Sequence, residues 1–282
     1  MSIVKDKISI NGKEIERALL LYLLKQIDNI CTEADIPYYA SGGTCLGAIR
    51  HQGFIPWDDD IDLMVPRKYY DKFVEICNQK LQQPVLMRTR ENDPWFCGEY
   101  IKICFKDDVK GYSDVSIDVF FLDETNPKRA VFRALQNFAL ISLYFIKLYK
   151  ISKDGHGNSY IPHNPIKKIL LKVASLLPYK TIDFVHKRIM LAEKKECSYV
   201  VNWGSTYSYK KSTYPKSALG TPVRRKFENT LVPTAEHPEV ILKQLYGENF
   251  MTPPPPEKRT SHGYSEIQCS ELDLDKILEE IS

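Results

Sequence analysis

Phe54-Ile55-Pro56-Trp57-Asp58-Asp59-Asp60-Ile61-Asp62-Leu63 places four acids within five positions, among apolar residues. A solvated acidic run would lack Trp57, Ile61 and Leu63. The alternation from Asp60 to Val65 predicts a strand ended by Pro66, with Asp60 and Asp62 on one side and Ile61 and Leu63 facing the core. Two carboxylates so spaced repel each other unless a cation lies between them. Hard divalent ions, Mg2+ or Mn2+, take carboxylate and phosphate oxygens together, so Asp60 and Asp62 are expected metal ligands. Asp58 and Asp59 read as turn caps, with support of the metal ligands from behind as the alternative.

Working outward, a second strand is expected over Val115–Leu122, where Asp118 stands among Ile117, Val119, Phe120 and Phe121. A buried Asp needs a partner or a metal. If the two strands are neighbours, Asp118 joins Asp60 and Asp62; the alternative is a salt bridge to a lysine such as Lys102. Asp123 and Glu124 read as loop residues beyond that strand. Upstream, Glu14–Ala34 has the apolar spacing of a helix and Ile36–Ser41 reads as a short strand. Ser41-Gly42-Gly43-Thr44 follows, with Thr44 as N-cap of a short helix to Arg50. Backbone N–H groups in such a turn can meet a phosphate, and the helix start favours its charge. Arg50 and His51, next along, are candidates for a pyrophosphate.

The rest of the chain bounds the class. It has 282 residues, 43% apolar and 27% charged, with 39 Lys plus Arg against 36 Asp plus Glu, a net +3. That balance, with no basic stripe or module signature, argues against nucleic-acid binding. Seven scattered cysteines without a Cys-x-x-Cys pair point to reduced thiols in a cytosol. The first eleven residues lack the apolar run of a signal peptide. Phe138–Ile146 is apolar but too short to span a bilayer, which takes ~20 residues. Helices are expected over Lys128–Ile151, Pro165–Leu177, Thr181–Cys197 and Pro238–Tyr246, the last capped by Gly247. Val200–Tyr209 reads as extended. The expected class is α/β (α+β): a small mixed sheet flanked by helices in residues 1–125, then a mostly helical half, 126–282, packed on it as a single compact unit. Lys210-Lys211 reads as a solvated pair. Arg259 and His262, after the proline run, either reach the site or form a tail salt bridge.

A small-residue turn, a short helix, Asp-x-Asp on a strand and one Asp on a later strand is the layout of the nucleotidyltransferase superfamily. Within it, Tyr39 through Asp62 closely resembles the LicD family of phosphotransferases, which includes fukutin-type proteins. Asp118, Trp203-Gly204 and Tyr246-Gly247 running into Met251-Thr252-Pro253-Pro254-Pro255 support the resemblance. It implies metal-dependent transfer of a phosphorylated alcohol, phosphocholine above all, from a CDP-activated donor to a sugar hydroxyl. The implied acceptors are lipopolysaccharide, teichoic acid, capsule or their lipid-linked precursors. Ribitol- or glycerol-phosphate transfer is the alternative within this chemistry. Carried onto this chain, Asp60, Asp62 and Asp118 hold metal, two ions in the expected case, and Asp118 accepts the hydroxyl proton. Ser41, Gly42, Gly43, Thr44, Arg50, His51 and Trp57 bind the donor, Trp57 offering an aromatic face to a quaternary ammonium. A nucleotidyltransferase releasing pyrophosphate would use the same acids, and a non-catalytic binding protein would keep the fold without needing them aligned. A lipid-linked acceptor would put the protein at the cytoplasmic face of a membrane, with the helix around Leu135–Leu148 as a surface contact.

Overall fold

The apolar stripe Leu19, Leu20, Leu23, Leu24, Ile27 and Ile30 is buried along one face of α1 (Lys13–Glu33), as its spacing requires. This computed structural model describes residues 12–156, 160–205, 207–259, 267 and 269–281. His262 and the first eleven residues lie outside them. After α1 come β1 (Tyr39–Ala40), α2 (Gly42–Arg50), β2 (Ile61–Pro66), α3 (Tyr70–Lys80), β3 (Val85–Arg88), β4 (Ile101–Asp107) and β5 (Gly111–Thr125). Next are α4 (Ala130–Lys153), α5 (Pro165–Ala174), α6 (Tyr179–Met190), β6 (Tyr199–Asn202) and β7 (Thr213–Pro215). The chain closes with α7 (Lys216–Leu219), β8 (Val223–Phe227), β9 (Thr230–Thr234), α8 (Pro238–Tyr246) and α9 (Leu274–Ile281).

These elements form two units. The described residues of the first fall within Met1–Arg88, Ile101–Phe121 and Ser217–Ser282; the second takes Thr89–Tyr100 and Leu122–Lys216. The chain therefore leaves the first unit twice, after Arg88 and after Phe121, and returns to it each time. In the first unit the strand order is β1-β2-β5-β4-β3. Its core runs from the α1 stripe through Ile61, Leu63, Ile103, Ile117 and Val119 to Phe227, Val232, Leu242 and Phe250 near the other end of the chain. In the second unit, residues 122–125 of β5 pair antiparallel with β6, which pairs with β7. Leu140, Met190, Val201 and Trp203 form a small core there.

Several expectations shift. The strand expected over Ile36–Ser41 is two residues, Tyr39–Ala40, because α1 ends at Glu33 and Asp35 turns with φ 49°. Asp60 precedes β2 instead of starting it. The helix expected to Cys197 stops at Met190. Asp123 and Glu124 lie inside β5, which runs on to Thr125 because β6 pairs with its end; Asp123 is buried and Glu124 binds Lys216 at 2.7 Å. The apolar run 138–146 belongs to α4, a helix of 24 residues, long and apolar enough to cross a membrane.

Candidate active site

All the acids that decide the fold lie in the first unit. β2 and β5 are hydrogen-bonded neighbours, so Asp62 and Asp118 stand on adjacent strands. β4 flanks β5 on its other side and places Lys102 directly across from Asp118. The Lys102 ammonium donates to Asp118 Oδ1 at 2.5 Å and to Ser116 Oγ at 3.0 Å. The salt bridge weighed against metal binding for Asp118 is thus present. Asp118 nevertheless acts on Asp62. Burial holds the Asp62 carboxyl well above the usual carboxylate range, and the charges of Asp60, Asp118 and Asp58 push the same way, opposed by Lys102.

The Gly42-Gly43 turn is built against these acids. Gly42 has φ +48°, a left-handed conformation in which a Cβ would be strained, and that Cβ would stand 3.2 Å from Asp62 Oδ2. A Cβ on Gly43 would overlap Asp58 Oδ2, 2.3 Å away. Thr44 is not the N-cap. α2 begins at Gly42 with Ser41 before it, and the Thr44 hydroxyl instead accepts the Asp62 N–H at 2.8 Å. The Ser41 N–H in turn donates to the Asp62 carbonyl at 2.9 Å. The turn and the acid strand are therefore stitched together by two bonds that fix where Asp62 stands.

The loop between α2 and β2 is held from both sides. Arg17 of α1 donates to the carbonyls of Ile55 and Asp58 at 2.8 and 3.2 Å, and Phe54 N donates to Glu228 Oε1 at 2.8 Å. Arg50 donates to the Phe250 carbonyl at 2.8 Å and to His51 Nε2 at 2.9 Å. Burial, then the Arg50 charge, lowers the His51 pKa, and an Nε2 that accepts puts the ring proton on Nδ1. Arg50 thus ties α2 to the segment after α8, a positioning task.

Trp57 has cations over its ring already: the Arg259 guanidinium 4.5 Å from the centroid and that of Arg50 at 6.0 Å. Arg259 therefore does reach the aromatic face beside the acids. In the sequence Tyr246 stands out only as part of a C-terminal signature, yet its hydroxyl stands 3.8 Å from the point a Gly42 Cβ would occupy, a point that Asp62 Oδ2 also approaches, at 3.2 Å. Two hundred residues of separation hid it; only its place in the Tyr-Gly pair hinted at a role. Lys210 and Lys211 are exposed in the second unit, with the Lys211 ammonium 5.6 Å from the centroid of the Tyr207 ring.

Among the described residues, no three His, Cys, Asp or Glu side chains are gathered closely enough to hold a metal ion as they stand. The donor chemistry nevertheless fits a hard divalent cation. Three carboxylates act on Asp62 against one lysine, and carboxylate oxygens are the ligands such a cation takes.

Residues 35–151 match the family model described as LicD/FKTN/FKRP, nucleotidyltransferase domain. The chain is 29% identical over 255 residues to the lipopolysaccharide cholinephosphotransferase LicD of Haemophilus influenzae, covering 88% of this chain and 94% of that protein. It is 38% identical over 155 residues to an uncharacterized protein of Rickettsia typhi, 54% of this chain and 44% of that one.

Proposed function

We propose that the chain, whose residues 35–151 match the LicD/FKTN/FKRP model, is a LicD family enzyme that transfers phosphocholine from CDP-choline to a sugar hydroxyl of a cell-surface glycan or its lipid-linked precursor, releasing CMP. The observation that carries this reading is that Asp62 and Asp118 stand on adjacent strands, with the charges of Asp60, Asp118 and Asp58 acting on the buried Asp62 carboxyl beside a glycine turn bonded to the Asp62 backbone. Asp60, Asp62 and Asp118 would hold Mg2+ or Mn2+. Bound there, such ions would supply positive charge to offset the charge that develops on the reacting phosphate.

The chain's own residues supply the rest. Gly42 and Gly43 let the donor phosphates approach the backbone at the start of α2. Trp57 offers its ring to the quaternary ammonium, in competition with Arg259. Lys102 orients Asp118, which takes the proton of the acceptor hydroxyl. The acceptor oxygen forms a bond to the choline-bearing phosphorus as the bond from that phosphorus to CMP breaks, and CMP leaves with the electron pair. Seven free thiols support a reducing compartment for this work.

The test offers CDP-choline, CDP-ribitol, CDP-glycerol and ATP with Mg2+ and a glycan acceptor, and follows CMP and pyrophosphate. CMP release and phosphocholine on the acceptor are expected. Release from CDP-ribitol or CDP-glycerol alone would change the alcohol, and pyrophosphate from ATP would overturn the reaction class.

A further inference from the structure

α4 is inside out. Its buried positions include Arg133, Gln136 and Lys147, while Leu135 and Phe138 are 63% and 72% exposed. The inward polar groups are matched: Arg133 binds Glu193 at 2.6 Å, Gln136 donates to the Ile189 carbonyl at 2.6 Å, and Lys147 pairs with Glu99. α5 packs against α4 and continues the theme: Ile169, Leu170 and Val173 are each more than 60% exposed. On α6, which also packs against α4, Phe184 is 65% exposed. Apolar area of this extent is unusual on a surface that meets only water.

Charge identifies the occupant. Apart from the buried, ion-paired Arg133 and Lys147, residues 128–190 carry ten Lys and Arg against two acids, Asp154 and Asp183, although the whole chain is only +3. A symmetric dimer would set this patch against itself and bring two strongly basic segments together. An anionic bilayer instead matches both features, apolar side chains entering below the headgroups and lysines meeting them. We propose that α4, α5 and α6 of the second unit form a surface that docks on anionic membranes, lying on the bilayer rather than crossing it. α4 is long enough to cross, but its ion-paired Arg133 and Lys147 tie it to the protein. The inference is independent of the transfer reaction, so its failure leaves that reaction standing.

The experiment is flotation of the purified full chain with vesicles of phosphatidylcholine alone or mixed with phosphatidylglycerol. The protein should float with the anionic vesicles at low salt, stay behind with the neutral ones, and be released by high salt and by alkaline carbonate. Ile169→Glu with Val173→Glu, and separately Lys168→Glu with Lys172→Glu, should each weaken partitioning at least about tenfold, with circular dichroism unchanged. Asp62→Asn should float as wild type does. The proposal is overturned if wild type stays in solution at low salt or if folded variants float equally well. Resistance to carbonate extraction, or a dimer abolished by Ile169→Glu with Val173→Glu in the absence of flotation, overturns it as well.

Discussion

A methyl group on Gly43 would stand where Asp58 Oδ2 now is. The obstacle is the end of a side chain, so Gly43→Ala should displace Asp58 at a stability cost of only about 1 kcal/mol, measured by urea unfolding. Turnover should fall at least roughly tenfold, because the displaced carboxylate belongs to the set around Asp62. Trp57 answers a different question. With a guanidinium 4.5 Å over its ring, the face already works as a cation site. Trp57→Leu should raise KM for CDP-choline by about 3- to 30-fold with kcat little changed, and leave KM for CDP-ribitol alone. Equal effects on both donors would show that the ring does not hold the ammonium. Each of these residues was visible in the sequence as a type; what it touches depended on chain segments far away.

Among the elements, α8 was legible to the residue because Pro238 sits at its start and Gly247, with φ +89°, ends it. α2 was less so. Gly-Gly reads as a turn, yet the helix begins inside it, and Thr44 does its work on β2 instead of capping. Thr44→Val should therefore strand the Asp62 N–H and cost about 1–2 kcal/mol in urea unfolding. β8 and β9 went unseen because Arg224, Arg225 and Lys226 mask the alternation in a strand whose outer face is charged. In the second unit, α4 was expected as a helix but its polarity was not, since spacing alone does not say which face turns in. Its Lys147 and the His186 of α6 meet Glu99. Burial would raise the Glu99 carboxyl, but the His186 hydrogen bond and the Lys147 charge outweigh it and hold the pKa lowered to about 2 from 4.5. A carboxyl lowered on folding stabilises the fold above its ordinary pKa and loses that effect as pH falls toward the lowered one. Acid unfolding of wild type should thus steepen between about pH 4.5 and 2. Glu99→Gln should remove that dependence and, by leaving Lys147 short of its partner, cost about 3 kcal/mol at neutral pH.

At the scale of the molecule, the first unit is assembled from both ends of the chain. Phe227, Val232, Leu242 and Phe250 complete a core begun by α1, and Arg50 bonds the Phe250 carbonyl. A fragment ending at residue 125 holds every proposed catalytic acid but should not unfold cooperatively, in contrast to the full chain; a cooperative transition would show that 126–282 is dispensable to that core. The division into two units is not legible in the sequence, since sequence order carries no signal for a segment that returns. The most direct measurement of the whole account is CMP release from CDP-choline, in the presence of a glycan acceptor, by the full chain and by Asp62→Asn, each with divalent ion and with chelator. Wild type should release CMP only with the ion. The variant, freed of a carboxyl its neighbours repel, should melt no lower than wild type and release CMP at least about a thousandfold more slowly. A folded variant that matches wild type, or release that chelation leaves untouched, would contradict the assignment of these acids to the chemistry.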